Sequence, residues 1–261
     1  MSPLHGRALV TGGTAGIGYA FAKALAERGC DLLLVARDVD RLAKVAEELT
    51  RRYGVDVETM TADLSDHADT ERVAARLDSE DSPIEILVNN AGHGLHDPIA
   101  QHDVTAHTQA LDLMVRAVLV LASRAGATMS DRGHGVIINI GSVAGLIAQN
   151  NYSAIKAWVN TFSDALALEL AGTGVRVLTL LPGWVRTEFH GRAEIRTSSI
   201  PDFLWLDADR LVADALAAVD AGKDRSVPST RFAIIAFLAQ RAPRSLVRAA
   251  TAKLRKGAAK R

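Results

Sequence analysis

The sequence has a single cysteine, Cys30, and no run of eighteen or more uncharged apolar residues. One cysteine excludes an intrachain disulfide framework and a cysteine-based zinc cluster. Without a long apolar run no transmembrane helix is predicted, and the first ten residues lack the apolar core of a signal peptide. We therefore expect a soluble protein of the cytoplasm.

Acidic residues are absent after Asp224, whereas ten basic residues follow it. Since the formal net charge is zero, the body is acidic and the end of the chain is strongly basic. We define residues 229–261 as the C-terminal extension. It contains an apolar patch, RFAIIAFLAQR, followed by SLVRAATAKLRK, which is compatible with an amphipathic basic helix.

The C-terminal extension could bind one of three partners. These are the acidic body of the same or a neighbouring subunit, an anionic membrane surface in a peripheral contact, and nucleic acid. Nucleic acid is disfavoured, because no aromatic residues that could stack on bases alternate with the cations. We therefore predict no nucleic-acid partner.

The composition is that of a globular protein, with 48% hydrophobic and 23% charged residues. Values near the globular average argue against disordered, collagen-like and coiled-coil chains. A chain of 261 residues can bury a substantial core, and nothing in it requires a second domain. A single domain followed by the extension is predicted.

A glycine-rich turn joins the first predicted strand, Arg7–Thr11, to an amphipathic helix. The turn reads TGGTAGIG, with Gly12, Gly16 and Gly18 spaced G-x-x-x-G-x-G. Strand, glycine turn and helix together place backbone N–H groups where a pyrophosphate binds. The glycines could serve only the conformation of the turn, but the order of the elements favours a nucleotide site.

The second predicted strand, Asp31–Ala36, ends where a dinucleotide fold meets the adenine ribose. An acidic residue at this point would bind the 2′-hydroxyl of NAD. Here Arg37 follows the strand, and its cation suits a 2′-phosphate, so the sequence favours NADP over NAD. In the alternative interpretation Arg37 is a surface arginine paired with Asp38 or Asp40.

The next elements are predicted as helices at 38–53, 66–77 and 104–130 and as strands at 55–61 and 85–88. The first of these strands leads to Asp63 and Leu64, and the second leads into NNAG, residues 89–92. Amide side chains and a glycine at the carboxyl end of a strand could flank a cofactor, or they could only form a turn.

The segment Gly141–Lys156, GSVAGLIAQNNYSAIK, combines side chains suited to acid-base chemistry. Tyr152 and Lys156 lie four residues apart, on one face of a helix predicted to extend to about residue 172. A phenol with a pKa near ~10 becomes a useful acid or base when a fixed cation favours the phenolate. Ser142, at the end of the strand GVIINIGS, could hydrogen-bond a substrate oxygen held near Tyr152. Taken alone, the Tyr-x-x-x-Lys spacing also fits a non-catalytic pair, in which the tyrosine ring only packs in the core and the lysine is only a charge exposed to water.

The rest of the sheet is predicted from a strand at 175–181, a helix at 207–221 and a short strand near Val227. The exit of the first strand, LPGWVRTEF, puts Pro182, Gly183, Val185 and Thr187 at a carboxyl end. The loop at 188–206 is long and apolar, and it is predicted to cover a site.

Four histidines, His93, His96, His102 and His107, cluster after NNAG. A metal site is not predicted there, because no cysteine or carboxylate pattern accompanies them. A polar rim beside the pocket is the favoured interpretation.

In chain order, these motifs resemble those of the short-chain dehydrogenase/reductase family in its short, single-domain form. The matching residues cover nearly all of residues 7–190: TGGTAGIG, Asp63-Leu64, NNAG, Ser142, Tyr152-x-x-x-Lys156 and PGWVRT. Each motif is weak alone, but all six in order are highly specific. The resemblance implies an α/β, Rossmann-type, doubly wound parallel sheet ordered 3-2-1-4-5-6-7, in an NADP-binding domain over residues 1–228 that includes the substrate loop 188–206.

The resemblance also implies roles for individual residues. Tyr152 would be the acid-base catalyst, Lys156 would hold the nicotinamide ribose and lower the pKa of Tyr152, and Ser142 would orient the substrate oxygen. The implied cofactor-binding residues are Gly12, Thr14, Gly16, Ile17, Gly18, Arg37, Asp63, Leu64, Asn90, Ala91, Gly92, Tyr152, Lys156, Pro182, Gly183, Val185 and Thr187.

Two departures from the family pattern stand out. An asparagine usually holds a relay water on the helix after NNAG, whereas alignment puts Met114 there, and no asparagine occurs between Asn90 and Asn139. A thioether cannot hold that water as an amide does. The second departure is the loop from Ser142 to Tyr152, which is about three residues shorter than usual in the family and would reshape the substrate mouth.

The leading hypothesis is an NADP-dependent oxidoreductase that transfers a hydride between nicotinamide and an apolar carbonyl or secondary alcohol, as a homo-oligomer (dimer or tetramer). The alternative is a weakly active or non-catalytic NADP-binding sensor, which Met114 makes conceivable and the intact set of Ser142, Tyr152 and Lys156 opposes. A sugar-nucleotide epimerase would need more residues after Thr187.

Overall fold

The computed structural model describes residues 4–95, 97–186, 205–243 and 245. The strands are β1 Arg7–Thr11, β2 Asp31–Ala36, β3 Val57–Thr61, β4 Ile84–Asn89, β5 Gly135–Ile140, β6 Val175–Leu180 and β7 Arg225–Ser226. The helices are α1 Gly16–Glu27, α2 Val39–Tyr53, α3 His67–Leu77, α4 Thr105–Leu111, α5 Ala117–Arg132, α6 Asn151–Glu169, α7 Ala208–Asp220 and α8 Thr230–Arg241. Within these ranges no helix is long and apolar enough to cross a membrane.

The seven strands form one parallel sheet ordered β3-β2-β1-β4-β5-β6-β7, which confirms the predicted order. Parallel strands carry side chains buried on both faces, so they consist of nearly continuous apolar runs. In β2, for example, Leu32 and Leu34 belong to the core on one face of the sheet, and Leu33 and Val35 belong to the core on the other. The two layers of helices therefore follow directly from the strand sequences.

Carboxylate and amide side chains cap the helices that begin at the carboxyl edge of the sheet. Asp38, Asp66, Asn150 and Asp207 each accept a hydrogen bond from a backbone N–H in the first turn of α2, α3, α6 and α7 respectively. Such caps satisfy donors that have no partner within the helix. The caps thereby fix the residue at which each of these helices begins.

The single helix predicted at 104–130 is interrupted. Between α4 and α5 lies a π turn, Asp112–Arg116, closed by the N–H of Ala117 donating to the carbonyl oxygen of Asp112. A π turn accommodates one extra residue, and such turns are frequent at functional sites. The apolar periodicity predicted a helix over this stretch but could not reveal the inserted residue.

Part of the C-terminal extension packs on the body of the protein. Helix α8 buries Phe232 and Ala236, and the Phe232 ring packs edge-on against Trp184 with ring centroids 5.9 Å apart. Most of the loop 188–206 and all of SLVRAATAKLRK except its first residue lie outside the described residues. The division of the chain at residue 228 stays a prediction.

Candidate active site

Ser142, Tyr152 and Lys156 are brought together at the carboxyl end of β5. Ser142 lies two residues beyond this strand, and its side chain is a hydrogen-bonding neighbour that lowers the pKa of the Tyr152 phenol. The Lys156 ammonium lies 5.8 Å from the centroid of the Tyr152 ring, and the side chains of Ser142 and Lys156 are both buried. A hydroxyl, a phenol and an ammonium thus surround one small volume, as predicted from their spacing.

The pKa of Tyr152 differs from the sequence-based expectation. Burial raises the pKa of Tyr152 from 10.0 to about 12, and the hydrogen bond with Ser142 opposes this shift. Any lowering by Lys156 is outweighed by burial, and the Lys156 ammonium donates to the carbonyl oxygen of Ile140 over 2.8 Å. Burial lowers the pKa of Lys156 from 10.5 to about 8. The spacing in the sequence predicted that Tyr152 and Lys156 lie close together. It could not predict the pKa shifts, because these depend on how far the folded protein removes both groups from water.

The backbone around Ser142 holds its hydroxyl in place. Ser142 has an extended backbone, and its Oγ accepts a hydrogen bond from the N–H of Ala144 over 3.1 Å, which starts a short 3₁₀ turn. The same Oγ lies 3.4 Å from the carbonyl oxygen of Pro182. Pro182, predicted to border the cofactor, therefore contacts Ser142.

The glycine turn after β1 is tightly closed. Gly12 and Gly16 both have positive φ angles, of 66° and 54°. A Cβ atom on Gly18 would lie 2.2 Å from the carbonyl oxygen of Gly12, so no larger residue fits there. The turn therefore brings the first residues of α1 close to the end of β1, as the sequence predicted.

Helix α1 differs from its neighbours at its first turn. Its N-cap residue is Ala15, which offers no side-chain cap, and the first turn carries no acidic residue. The free N–H groups and the positive end of the helix dipole fit an anion such as a phosphate. Thr14 and Ile17 flank this helix start, where the sequence predicted them to meet the cofactor.

Asparagine and threonine side chains bind the NNAG turn to the glycine turn. The Oγ1 of Thr11 accepts hydrogen bonds from the N–H groups of Asn90 and Ala91, over 2.9 and 3.0 Å. The side chain of Asn90 donates to the carbonyl oxygen of Thr11 over 2.9 Å. Asn90, Ala91 and Gly92 thus line the same crevice as the glycine turn, at the edge where β1 and β4 are neighbours.

Arg37 follows β2, the strand that pairs with β1, and its side chain is 74% exposed. Its Nη1 is 3.8 Å from the Oδ2 of Asp63, a residue that was also predicted to contact the cofactor, while Leu64 is buried. Asp38, an expected alternative partner of Arg37, instead accepts from the backbone N–H of Arg41. The guanidinium of Arg41 donates to the carbonyl oxygen of Thr14 over 3.2 Å, so a second cation borders the glycine turn.

Met114, predicted from the sequence to align with the family's relay asparagine, lies at the centre of the π turn. It is 1% exposed and packs with Leu95 and Ile155, against which Tyr152 also lies. A Cβ atom on Gly92 would lie 3.0 Å from its sulfur atom. The side of the site behind Tyr152 is therefore apolar.

The last segment predicted to bind the cofactor, residues 182–187, follows β6. A Cβ atom on Gly183 would lie 2.2 Å from the ring of Phe232, so glycine is needed there for α8 to pack. Val185 is buried and pairs with Leu206 in an isolated parallel bridge. Thr187 lies outside the described residues.

Of the four clustered histidines, His107 is buried, His93 and His102 are exposed, and His96 lies outside the described residues. The Nε2 of His107 is 3.0 Å from the carbonyl oxygen of Pro98. The Nδ1 of His107 is 3.1 Å from the Nδ2 of Asn151, the residue before Tyr152. In the part of the chain that the structure describes, no group of three or more acidic, histidine or cysteine side chains could hold a metal ion. His107 thus has the contacts of a packing residue of the pocket wall.

A doubly wound sheet of this strand order, with a glycine turn after β1 and a partly buried tyrosine beside a buried lysine beyond β5, is typical of a dinucleotide-dependent oxidoreductase. Comparison with known proteins narrows the class. The family model for short chain dehydrogenase matches residues 7–196. The chain belongs to the short-chain dehydrogenase/reductase family.

Individual relatives agree with this assignment. Sulfoacetaldehyde reductase 2 of Chromohalobacter salexigens is 35% identical over 214 residues, which cover 80% of this chain and 84% of the relative. A short-chain dehydrogenase from Sphingobium yanoikuyae, solved in complex with NADPH, is 36% identical with a TM-score of 0.82, covering 88% of this chain and 92% of that one. The bulky-bulky ketone specific alcohol dehydrogenase from Comamonas testosteroni is 32% identical with a TM-score of 0.78, covering 90% and 91%.

Proposed function

We propose that the protein is an NADP-dependent reductase or dehydrogenase for apolar carbonyl compounds and secondary alcohols. The observation that carries the proposal is the convergence of three side chains: Ser142 acts on the pKa of the Tyr152 phenol, and the Lys156 ammonium lies 5.8 Å from the centroid of the Tyr152 ring. Acid-base chemistry at one oxygen atom needs such a converging set. The proposed catalytic residues are those predicted from the sequence: Ser142, Tyr152 and Lys156.

In the reductive direction, a bound nicotinamide would supply a hydride to the carbonyl carbon. The side chains of the protein stabilise and then protonate the negative charge that develops on the carbonyl oxygen. Ser142 holds this oxygen by a hydrogen bond, and Tyr152 gives it a proton. The raised pKa of Tyr152, about 12, keeps the phenol protonated and able to donate at neutral pH. The Lys156 ammonium stabilises the phenolate that remains, because it is a cation in a buried site.

The substrate is proposed to be apolar and bulky. Leu95, Met114 and Ile155 form an apolar cluster against Tyr152, and Trp184 is 42% exposed beyond the end of β6. The similarity to the bulky-bulky ketone specific alcohol dehydrogenase supports a bulky ketone as substrate. Another relative is named a sulfoacetaldehyde reductase, and sulfoacetaldehyde is small and polar. The apolar wall in this chain favours the former.

The cofactor is proposed to be NADP rather than NAD. Arg37 follows β2 at the position where an acidic residue would favour NAD, and Arg41 adds a second cation beside the glycine turn. The relative from Sphingobium yanoikuyae was solved with NADPH, which supports a nicotinamide cofactor of this type. The residues proposed to hold it are those predicted from the sequence, including Thr187.

A homo-oligomer, dimer or tetramer, located in the cytoplasm, is also proposed. Apolar side chains that a partner copy could cover are exposed on α4, α5 and α6, namely Leu111, Leu119 and Leu168. Light scattering after gel filtration tests this assembly, and a monomer at micromolar concentration would reject it.

The non-catalytic alternative, an NADP-binding sensor, was suggested only by Met114. The relatives are named as enzymes, so the comparisons give this alternative no support.

The test of the function is consumption of NADPH and NADH with a panel of bulky aryl and alkyl ketones, aldehydes, quinones and sulfoacetaldehyde. The proposal predicts NADPH oxidation with the bulky ketones and little activity with sulfoacetaldehyde. Turnover of sulfoacetaldehyde alone would overturn the substrate class. Absence of turnover with every carbonyl, for protein that binds NADPH, would overturn the activity.

A further inference from the structure

Asn160 makes two hydrogen bonds to the peptide groups on either side of the Ser142 α-carbon. Its Oδ1 accepts from the backbone N–H of Ser142 over 3.3 Å, and its Nδ2 donates to the Ser142 carbonyl oxygen over 3.1 Å. The side chain is buried, with 4% exposed. Because the amide meets one donor and one acceptor, only one orientation of its two ends satisfies both partners.

The chain around Ser142 is shaped to receive this amide. A Cβ atom on Gly141 would lie 2.1 Å from the Oδ1 of Asn160, and one on Gly145 would lie 2.6 Å from its Nδ2. Gly145 also presses on helix α6 itself, since its Cβ would lie 2.6 Å from the carbonyl carbon of Lys156. Both glycines of the GSVAG segment are therefore required by the contact with Asn160 and α6.

Asn160 also lies in line with the proposed catalytic residues. Tyr152, Lys156 and Asn160 follow one another at four-residue intervals, so they share one face of α6. Tyr152 and Lys156 act from this helix, whereas Ser142 acts from the exit of β5. The geometry of the site therefore depends on how firmly these two elements are joined, and Asn160 joins them at Ser142 itself.

We propose that Asn160 is a positioning residue, which holds the Ser142 hydroxyl at the distance from Tyr152 that the reaction needs. The inference rests on the function proposed above, because it assigns Ser142 to the substrate oxygen. Asn160 acts through its two hydrogen bonds to the Ser142 backbone. Displacement of a catalytic group by about 1 Å can cost on the order of 10²-fold in rate.

The test uses Asn160→Leu, which removes both hydrogen bonds and keeps a side chain of similar size. Its matched control is Ser163→Ala, also buried on α6, whose hydrogen bonds reach Asn139 and the Val159 carbonyl but not Ser142. Asn160→Ser is a second variant, whose hydroxyl can bond the carbonyl of Lys156 within the helix and cannot bridge the Ser142 peptides. Thermal unfolding and NADPH affinity are measured for each protein.

We expect kcat for a bulky ketone to fall about 10- to 100-fold in Asn160→Leu and Asn160→Ser, and to stay within about twofold in Ser163→Ala. The decisive readout is a double-mutant cycle with Ser142→Ala under single-turnover conditions. In the Ser142→Ala background, Asn160→Leu should change the rate by less than about twofold, because the group that it positions is gone. A purely structural role would lower the rate equally in both backgrounds.

The two proposals fail in different ways. If the wild type is active and Ser142→Ala is not, but both Asn160 variants match Ser163→Ala, the role of Asn160 is overturned and the proposed function stands. Additive effects in the cycle overturn it in the same way. If the wild type turns over no carbonyl at all, the proposed function fails and the role of Asn160 fails with it.

Discussion

The ammonium group of Lys156 donates a hydrogen bond of 2.8 Å to the carbonyl oxygen of Ile140, the last residue of β5. This contact joins α6 to the strand that leads to Ser142, and it keeps the lysine in a buried place. Burial disfavours the charged form, so the pKa of Lys156 falls from 10.5 to about 8. The protonation state of Lys156 therefore changes within the range in which enzyme activity is measured.

The first prediction concerns the pH dependence of ketone reduction. Lys156 is charged below about pH 8 and neutral above it, while Tyr152, with a pKa of about 12, keeps its proton throughout. We expect kcat/KM to be level below pH 8 and to fall above it, because the phenolate then lacks its cation. Lys156→Arg should remove the fall up to pH 10, since arginine stays charged. Lys23→Arg, on α1 in an ion pair with Asp209, should keep it. A profile that is level to pH 10 in the wild type contradicts this account.

The second prediction concerns cofactor choice. Arg37→Ala should weaken NADPH binding by about 10- to 100-fold and leave NADH binding within about twofold, because a charge-assisted hydrogen bond contributes roughly 1.5–3 kcal/mol. Titration of both cofactors by fluorescence measures the effect. Arg51→Ala is the matched control, since Arg51 is an exposed arginine at the far end of α2, near Glu47. Equal affinity of the wild type for both cofactors would reject the assignment.

The third prediction concerns Met114, an apolar side chain that the sequence predicts to align with the family's relay asparagine. If proton delivery limits the rate, Met114→Asn should raise kcat and lower the solvent isotope effect, with unchanged NADPH affinity. Burying the new amide should cost about 1–3 kcal/mol of stability. Met114→Leu keeps the volume and supplies no amide, so it should give no gain. No gain in Met114→Asn, and no isotope effect in either protein, would show that this relay does not limit the enzyme.

The fold and much of the site could be predicted from the sequence, because strand order and motif positions depend on local patterns. Apolar runs predicted the buried strands, and the glycine turn, NNAG and Tyr152 marked their carboxyl ends. Asn160 could not be predicted, since a lone polar residue on a helix gains its role only from a contact with Ser142, eighteen positions away. The shifted pKa of Tyr152 likewise depends on burial by residues distant in sequence.

The fourth prediction concerns the C-terminal extension, for which we propose peripheral contact with anionic membranes. Helix α8 exposes Ile234, Phe237 and Leu238 by more than half, and residues 244–261 carry only basic charges. Such a combination suits an anionic lipid surface. The full chain should sediment with vesicles containing phosphatidylserine at low salt, and not with neutral vesicles or at high salt.

A chain ending at Pro243 keeps α8 and its buried Phe232, and it tests the role of the basic residues alone. We expect this shorter chain to lose vesicle binding and to keep its thermal stability. Failure of the full chain to sediment would reject the membrane proposal. A loss of stability or of oligomeric state in the shorter chain would instead show that the extension docks on the protein itself.

The most direct measurement of the central claim is transfer of deuterium to a bulky ketone from NADPH that carries deuterium at both hydrogen positions of nicotinamide C4, followed by mass spectrometry. The wild type should give an alcohol with one deuterium at the carbinol carbon. Tyr152→Phe should slow this transfer by about 10²- to 10⁴-fold at saturating NADPH, since it removes the proton donor. Tyr53→Phe, at the end of α2, should keep the wild-type rate. An unlabelled product, or an equal rate in Tyr152→Phe, would contradict the account.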